Sequence, residues 1–268
     1  MSKLTDWMDR TLYPNHADRW DDRTLRSHLD LLLEPTDCVL DLGAGAGIIE
    51  ALRLRDAVAE VCGVDPDPRV LENPHLDDAR VGFGEAIPYD DERFDLAMAN
   101  NVLEHLERPA EVLAEVARVL RPGGRFVAKT PNRTHYIPLA SRLTPHRFHQ
   151  WYNGLRGMDA DDIYPTHYRA NTAAAIRREA AAVGLEVERI ERIEGRPEYL
   201  RLAAPLYACG YAYERVVNAT EVFAPLRSVI VCVLRKPDVL SMADHREEMS
   251  QAITRSRTLK AETVNKAA

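Results

Sequence analysis

Short apolar runs alternate with segments of helical period between residues 38 and 132, and no other feature of the sequence restricts the fold as strongly. This alternation is typical of repeated strand–helix–strand units around a parallel sheet. It predicts five strands, which cover Cys38 to Leu42, Val61 to Val64, Arg80 to Phe83, Phe94 to Ala99 and Arg125 to Lys129. The fold class is therefore α/β, a doubly wound and mostly parallel sheet with helices on its faces.

Apolar stripes and cap residues predict helices between and around these strands. One helix is predicted over residues 16–33, and another in the region marked by Ile48, Ile49 and Leu52. A third begins at Pro109 and is stopped by Gly123 and Gly124. The last two cover residues 172–184, with Thr172 as N-cap, and residues 197–218. Further strands are expected at 185–193 and 229–234. Together these elements predict one domain over residues 1–237.

The domain has four predicted parts, and a tail follows it. The parts are N-terminal helices over 1–35, a core over 36–132, an insertion over 133–170 and a C-terminal sheet and helix part over 171–237. The insertion is rich in aromatic residues and holds four of the nine histidines, which suits a lid over a small ligand, although an ordinary hydrophobic cluster stays open. Residues 238–268 are polar and predict a tail.

Charge and cysteine content restrict the partners. Thirty-five Lys and Arg residues against 42 Asp and Glu residues give a net charge of −7, which disfavours nucleic acid as a partner. The cysteines are far apart, so their spacing predicts no metal site, and we interpret them as reduced thiols of a cytoplasmic protein: Cys38, Cys62, Cys209 and Cys232. The longest uncharged run, residues 202–213, is too short to cross a bilayer, while contact with a membrane surface stays open.

The sequence VLDLGAGAG, residues 39–47, is the motif that points to a ligand-binding site. A strand that ends in Asp41 leads into Gly43, Gly45 and Gly47, and glycines here permit a sharp turn and close approach of a ligand to the backbone. The next strand ends in Asp65, whose carboxylate suits both hydroxyls of a ribose. Simpler explanations are a turn cap for Asp41 and an Asx turn before Pro66 for Asp65.

Two further segments follow at the same edge of the predicted sheet. Glu85 and Ala86 come after the third strand, where a carboxylate or a backbone amide could bind the edge of an adenine. The fourth strand leads into Asn100 and Asn101, and ligands of open α/β sheets bind at this edge.

These segments resemble the class I S-adenosylmethionine-dependent methyltransferases, in particular the subgroup that includes the ubiquinone and menaquinone biosynthesis enzymes. The resemblance covers residues 36–132 and rests on four motifs in order: VLDLGAGAG, VCGVDPD, VGFGEAIPYDDERFDLAMANNVLEHL and VLRPGGRFVAKTPN. It implies a seven-stranded sheet with an antiparallel last strand, S-adenosylmethionine as cofactor, and Asn100 near the methionine part of that cofactor. The cofactor residues are then Asp41, Gly43, Gly45, Gly47, Asp65, Glu85, Ala86 and Asn100.

The chemistry of the motif favours this cofactor over a dinucleotide. Ile48 stands where a third glycine is expected for NAD, and carboxylates such as Asp41 complement a sulfonium and an ammonium but oppose a pyrophosphate. We expect methyl transfer to oxygen, nitrogen or carbon of a small acceptor, such as a quinone, a sugar or a lipid. His135 and His105 are the candidate bases, with His167 third. A catalytically silent partner protein and a nicotinamide-dependent oxidoreductase stay open as alternatives, and the oligomeric state is not predicted.

Overall fold

Seven strands form one sheet in the computed structural model, which describes residues 3–16, 21–143 and 165–238. The strands are β1 (Cys38–Leu42), β2 (Glu60–Asp65), β3 (Asp78–Val81), β4 (Phe94–Asn100), β5 (Leu120–Pro131), β6 (Glu186–Ile193) and β7 (Val229–Arg235). Their order is β3-β2-β1-β4-β5-β7-β6, and β7 is antiparallel to both of its neighbours while the other pairs are parallel. The predicted fold class and the antiparallel last strand are confirmed.

Six helices accompany the sheet in the described part of the chain. They are α1 (Lys3–Leu12), α2 (Asp21–Asp30), α3 (Pro109–Val119), α4 (Tyr136–Leu143), α5 (Ala173–Ala182) and α6 (Ala204–Ala219). Pro109 occupies the first turn of α3, and the Thr172 hydroxyl accepts a hydrogen bond from Ala175 N at 3.1 Å, as the sequence predicts.

The two faces of the sheet are covered by different helices. On one face Val112 and Val116 of α3 and Ile176 of α5 pack on inward residues of the central strands. On the other face Leu25 and Leu29 of α2 are fully buried. Because both faces are covered, the central strands are apolar over most of their length, which explains why runs of strand length were visible in the sequence.

The prediction of a helix around Ile48, Ile49 and Leu52 is wrong. Only one turn of 3-10 helix, Glu50–Leu52, follows β1, and Ile48 is 87% exposed. The Arg26 guanidinium of α2 donates to the carbonyls of Ala51 and Arg53 at 3.3 and 2.8 Å, so contacts with α2 hold this segment in its short 3-10 conformation.

Smaller differences concern element boundaries. The segment from residue 197 divides into a short 3-10 helix, Glu198–Leu200, and α6. Gly123 and Gly124 lie inside β5, because Leu120 is already extended after Val119. Residues 144–164 of the predicted insertion and residues 239–268 of the predicted tail lie outside the described residues.

Candidate functional site

The carboxyl ends of β1, β2 and β4 meet at one edge of the sheet. Asp41 pairs in register with Gly63 of β2 and with Met98 of β4, so Asp65 and Asn100 lie at the same edge as Asp41. The structure therefore brings together the predicted residues that end these three strands.

The glycine loop after β1, residues 43–47, packs against Asn73 at Gly47 and faces open space at Gly45. Gly47 has a φ of +72°, and a Cβ added to it would lie 2.2 Å from Asn73 Oδ1. Gly45 has a φ of +49°, and an added Cβ would meet no atom within 4 Å. The backbone at Gly45 thus faces open space, where a ligand can approach it closely.

Asn73 fixes this loop and was missed in the sequence. Its side chain is buried, and its Nδ2 donates to the carbonyls of Ala44 and Gly45 at 3.2 Å each. Its Oδ1 accepts from His75 N at 3.0 Å. The only sequence signal is an asparagine directly before Pro74, which usually indicates an ordinary turn.

The Asp65 carboxylate is fixed by two backbone groups. Its Oδ2 accepts from Gly45 N at 2.9 Å, and its Oδ1 accepts from Asp67 N at 2.8 Å. The second bond is the Asx turn that the sequence left open, and it coexists with the first. Because each carboxylate oxygen has further acceptor capacity, Asp65 remains able to accept bonds from a ligand in a fixed orientation.

Asp41 lies beside Asp65 on the neighbouring strand. Burial, with the negative charge of Asp65 in addition, raises the pKa of Asp41 to about 7. Two carboxylates at one strand edge create a field that favours a cationic ligand and disfavours a phosphate.

Asn100 presents an unsatisfied acceptor at this edge. Its Nδ2 donates to Asp22 Oδ1 of α2 at 3.0 Å, which assigns the orientation of the amide. Its Oδ1 is buried and has no hydrogen-bond partner among the described residues. A buried acceptor without a donor is costly, so a donor from a ligand fits here.

A buried lysine supports Asn100 from the next strand. Lys129 of β5 pairs in register with Asn100, is fully buried, and its Nζ lies 2.8 Å from Asp22 Oδ1 and 2.9 Å from Asp21 Oδ2. This group joins the start of α2 to the edge of the sheet. A lysine directly after the apolar run Phe126–Ala128 was the available signal, but its partners are more than 100 residues away in the sequence.

Glu85 and Ala86 lie in a tight turn after β3. Ala86 N donates to Phe83 O at 3.1 Å, and the ring of Phe83 is 65% exposed. A Cβ added to Gly84 would lie 3.6 Å from Leu42 Cδ1, so the chain that leads into this turn comes back to the carboxyl end of β1. The exposed ring of Phe83 is a flat apolar surface beside them.

The two candidate bases have different environments. His135 is 2% exposed, its Nε2 lies 3.3 Å from Glu194 Oε2, and its ring packs on Tyr136 and Tyr213 with centroids 4.1 and 5.7 Å away. Its Nδ1 faces Ile137 N at 3.5 Å. Both ring nitrogens of His135 therefore face protein atoms, but Nε2 and Glu194 Oε2 have no hydrogen-bond partner among the described residues.

His105 is partly exposed and follows β4 directly. Its Nδ1 donates to the carbonyl of Pro165 at 2.8 Å, which makes Nε2 the basic nitrogen of the neutral ring. His167, the third candidate, lies with its Nε2 3.5 Å from Glu107 Oε1 at the surface.

Glu104 anchors the chain where it returns from the insertion. Its carbonyl accepts from His167 N and Tyr168 N at 2.7 and 3.1 Å, and its Oε2 accepts from the Thr130 hydroxyl at 2.9 Å. Asn171 Nδ2 donates to the same hydroxyl at 2.6 Å. Burial raises the pKa of Glu104. This network holds the returning chain above the ends of β4 and β5.

Comparisons with known proteins agree with this geometry. Residues 16–190, more than half of the chain, match the model of a family described as "Methyltransferase domain". No described helix combines the length and the apolar character that crossing a membrane requires.

Several curated relatives are mycobacterial. An uncharacterized methyltransferase of Mycobacterium tuberculosis is 29% identical over 209 residues, which are 74% of this chain and 81% of that protein. One from Mycobacterium leprae is 29% identical over 63% of this chain and 66% of its own length. A "Probable S-adenosylmethionine-dependent methyltransferase" of Mycolicibacterium smegmatis is 32% identical over 56% of this chain. The chain thus spans just under two thirds of the M. leprae relative and 52% of the M. smegmatis relative.

Solved structures share the fold at low identity. A candidate sarcosine dimethylglycine methyltransferase from Galdieria sulphuraria has a TM-score of 0.53 and 19% identity, with 83% of this chain and 87% of that chain covered. The [4+2]-cyclase SpnF has a TM-score of 0.52 and 19% identity, with 82% of each chain covered. These similarities concern the architecture alone.

Proposed function

Because the chain belongs to the family of methyltransferase domains, with S-adenosylmethionine as its cofactor, we propose that it methylates an oxygen, nitrogen or carbon atom of a small molecule. The acceptor class that we propose is a quinone-, sugar- or lipid-like molecule, following the motif resemblance. We also propose a cytoplasmic location, which agrees with the four unpaired cysteines.

The buried, unpartnered Oδ1 of Asn100 carries the proposal for the cofactor site. An ammonium group of the methionine part can donate to it, while the carboxylates of Asp41 and Asp65 balance the positive charges of the ligand. The residues therefore fit the chemistry of S-adenosylmethionine. A nicotinamide dinucleotide would bring its pyrophosphate against the same two carboxylates.

When bound, S-adenosylmethionine supplies a methyl group made electrophilic by the adjacent sulfonium charge. We expect Asp65 to accept bonds from two ribose hydroxyls and the open backbone at Gly45 to allow close approach of the ligand. Glu85 and Ala86 contact the adenine in this proposal. The protein's contribution is orientation and exclusion of water, since the electrophile needs no further activation.

We propose His105, rather than His135, as the residue that accepts the proton from the acceptor molecule. His105 is partly exposed and its tautomer is set by the bond from Nδ1 to Pro165 O, whereas His135 is 2% exposed and its ring is enclosed by Tyr136 and Tyr213. His105 follows Asn100 by five residues and lies beneath the returning chain, at the edge where β4 and β5 end. The lid role that we propose for the insertion rests on the bonds from His167 N and Tyr168 N to the carbonyl of Glu104.

The test is methyl transfer from methyl-labelled S-adenosylmethionine to a panel of phenols, quinols, sugars and lipids. With an acceptor found, His105→Ala should lower kcat by about 100-fold or more, with little change in the affinity for S-adenosylhomocysteine. His135→Phe is the matched comparison, because a phenyl ring preserves packing on Tyr136 and Tyr213. A loss in His135→Phe with full turnover in His105→Ala would reverse the assignment.

Binding without turnover would favour the silent partner protein instead. A structural neighbour described as a [4+2]-cyclase has the same architecture, so the fold alone does not determine catalysis. Cofactor binding and acceptor turnover must therefore be measured separately.

A further inference from the structure

Two thiols and a carboxylate meet at the edge of the sheet opposite to the cofactor site. Cys38 begins β1, while Glu60 and Cys62 lie at the start of β2, and the register pairs Cys38 with Glu60. Alternation along the strands places all three side chains on one face. The two Sγ atoms and a carboxylate oxygen of Glu60 lie within 4.8 Å of one another.

The cluster is closed toward the core and open toward solvent. Cys62 is fully buried and Cys38 is 9% exposed, whereas the side chain of Glu60 is 38% exposed. A small ion can therefore enter beside Glu60 and reach both sulfur atoms.

Arg93 orients the carboxylate in this cluster. Its Nη2 donates to Glu60 Oε1 at 2.8 Å and to Cys62 Sγ at 3.4 Å, while the Cys38 thiol donates to Glu60 Oε2 at 3.0 Å. Oε2 is thus directed toward the sulfur atoms, and Oε1 is held by a hydrogen bond of the kind that supports metal-binding carboxylates. Two thiolates, one carboxylate and one guanidinium together balance a divalent cation.

We propose that Cys38 Sγ, Cys62 Sγ and Glu60 Oε2 bind one zinc ion, with a water molecule as the fourth ligand. Two sulfur ligands and one oxygen ligand suit this borderline-soft ion, and separations below 4.8 Å need only small movements to reach tetrahedral geometry. On binding, both thiols release their protons to solvent and the sulfur atoms become thiolates. The ion joins the amino ends of β1 and β2 and takes no part in methyl transfer.

This site also explains why the cysteine spacing gave no metal signal. Cys38 and Cys62 are 24 positions apart by their numbers, and no loop of a known zinc motif connects them. Parallel pairing of two strands brings them together instead.

The test uses cobalt as a visible substitute for zinc, which has no d–d absorption. All proteins are fully reduced and carry Cys209→Ser, because Cys209 is exposed and could bind cobalt on its own. We expect a thiolate-to-cobalt charge-transfer band that saturates at one cobalt per chain and disappears on addition of zinc. Cys38→Ser and Cys62→Ala should abolish the band, and Glu60→Gln should weaken cobalt binding at least about tenfold.

Thermal unfolding supplies a second readout. At free zinc about 100 times its Kd, the midpoint of the parent protein should rise by about 5–10 °C, and that of Cys38→Ser should not change. Cys38→Ser is a conservative change, because the serine hydroxyl can keep the bond to Glu60 Oε2, so this variant remains informative if Cys62→Ala folds poorly. The absence of a charge-transfer band in the reduced parent, or an unchanged band in either cysteine variant, would overturn the proposal. Neither readout depends on methyl transfer.

Discussion

Replacement of Asp65 by alanine should weaken the binding of S-adenosylhomocysteine far more than it weakens the fold. The carboxylate is fixed by Gly45 N and Asp67 N, so its position is set before a ligand arrives. A charge-assisted bond to each ribose hydroxyl contributes about 1.5–3 kcal/mol. Loss of one such bond corresponds to at least about tenfold in Kd, and loss of two at the lower value to about 100-fold.

Asp77→Ala is the matched control. Asp77 Oδ2 accepts from Val61 N at 2.9 Å, so this aspartate also fixes a backbone amide, but at the amino end of β2 and away from the candidate site. Calorimetric titration of both variants, with thermal midpoints recorded in parallel, separates ligand contact from general stability. Equal affinities for Asp65→Ala and the parent protein, or equal losses in the two variants, would refute the assignment of Asp65 to the ribose.

Four further predictions follow from other contacts of the same edge. The affinity for S-adenosylmethionine, measured by calorimetric titration, should rise as pH increases through about 7. The reason is that the pKa of Asp41 is raised to about 7 and the cationic ligand favours the ionised carboxylate. Asp41→Asn should remove this pH dependence of the affinity. The same shift means that native Asp41 holds a proton that the unfolded chain has lost between pH 3.8 and about 7, so the contribution of Asp41 to the stability of the ligand-free protein should fall as pH rises through that range; urea titrations of the parent and of Asp41→Asn measure this contribution as their difference. Lys129→Met should lower the free energy of unfolding by about 1–3 kcal/mol, because the partly hydrated Asp21 and Asp22 lose their buried partner; a denaturation midpoint equal to that of the parent would contradict this. Gly47→Ala should weaken cofactor binding and lower the thermal midpoint, since its Cβ would lie 2.2 Å from Asn73 Oδ1, and unchanged values of both would show that the loop adapts.

The sequence predicted the strands well because both faces of the central sheet are covered. Continuous burial leaves apolar runs such as Cys38–Leu42 and Val229–Arg235 that need no knowledge of their neighbours. The helix predicted from Ile48 onward failed for the opposite reason. The segment is held by bonds from Arg26, a residue of another helix, and local periodicity carries no information about such a contact.

In the candidate site, too, residues that depend on local sequence were predicted and residues that depend on distant segments were missed. The acids that end β1 and β2 were predicted because each follows its own strand in the chain. Asn73 and the group formed by Lys129, Asp21 and Asp22 were missed, since each depends on pairing between distant segments. The burial of His135 against Glu194 was likewise invisible, because β6 brings Glu194 to that position.

Calorimetric titration with S-adenosylhomocysteine, with NADH as the control ligand under identical conditions, tests the central claim most directly. The carboxylates of Asp41 and Asp65 and the unpartnered oxygen of Asn100 predict saturable binding of one S-adenosylhomocysteine per chain and no heat from NADH. Binding of NADH alone, or of neither ligand by correctly folded protein, would contradict the account of this edge as an S-adenosylmethionine site.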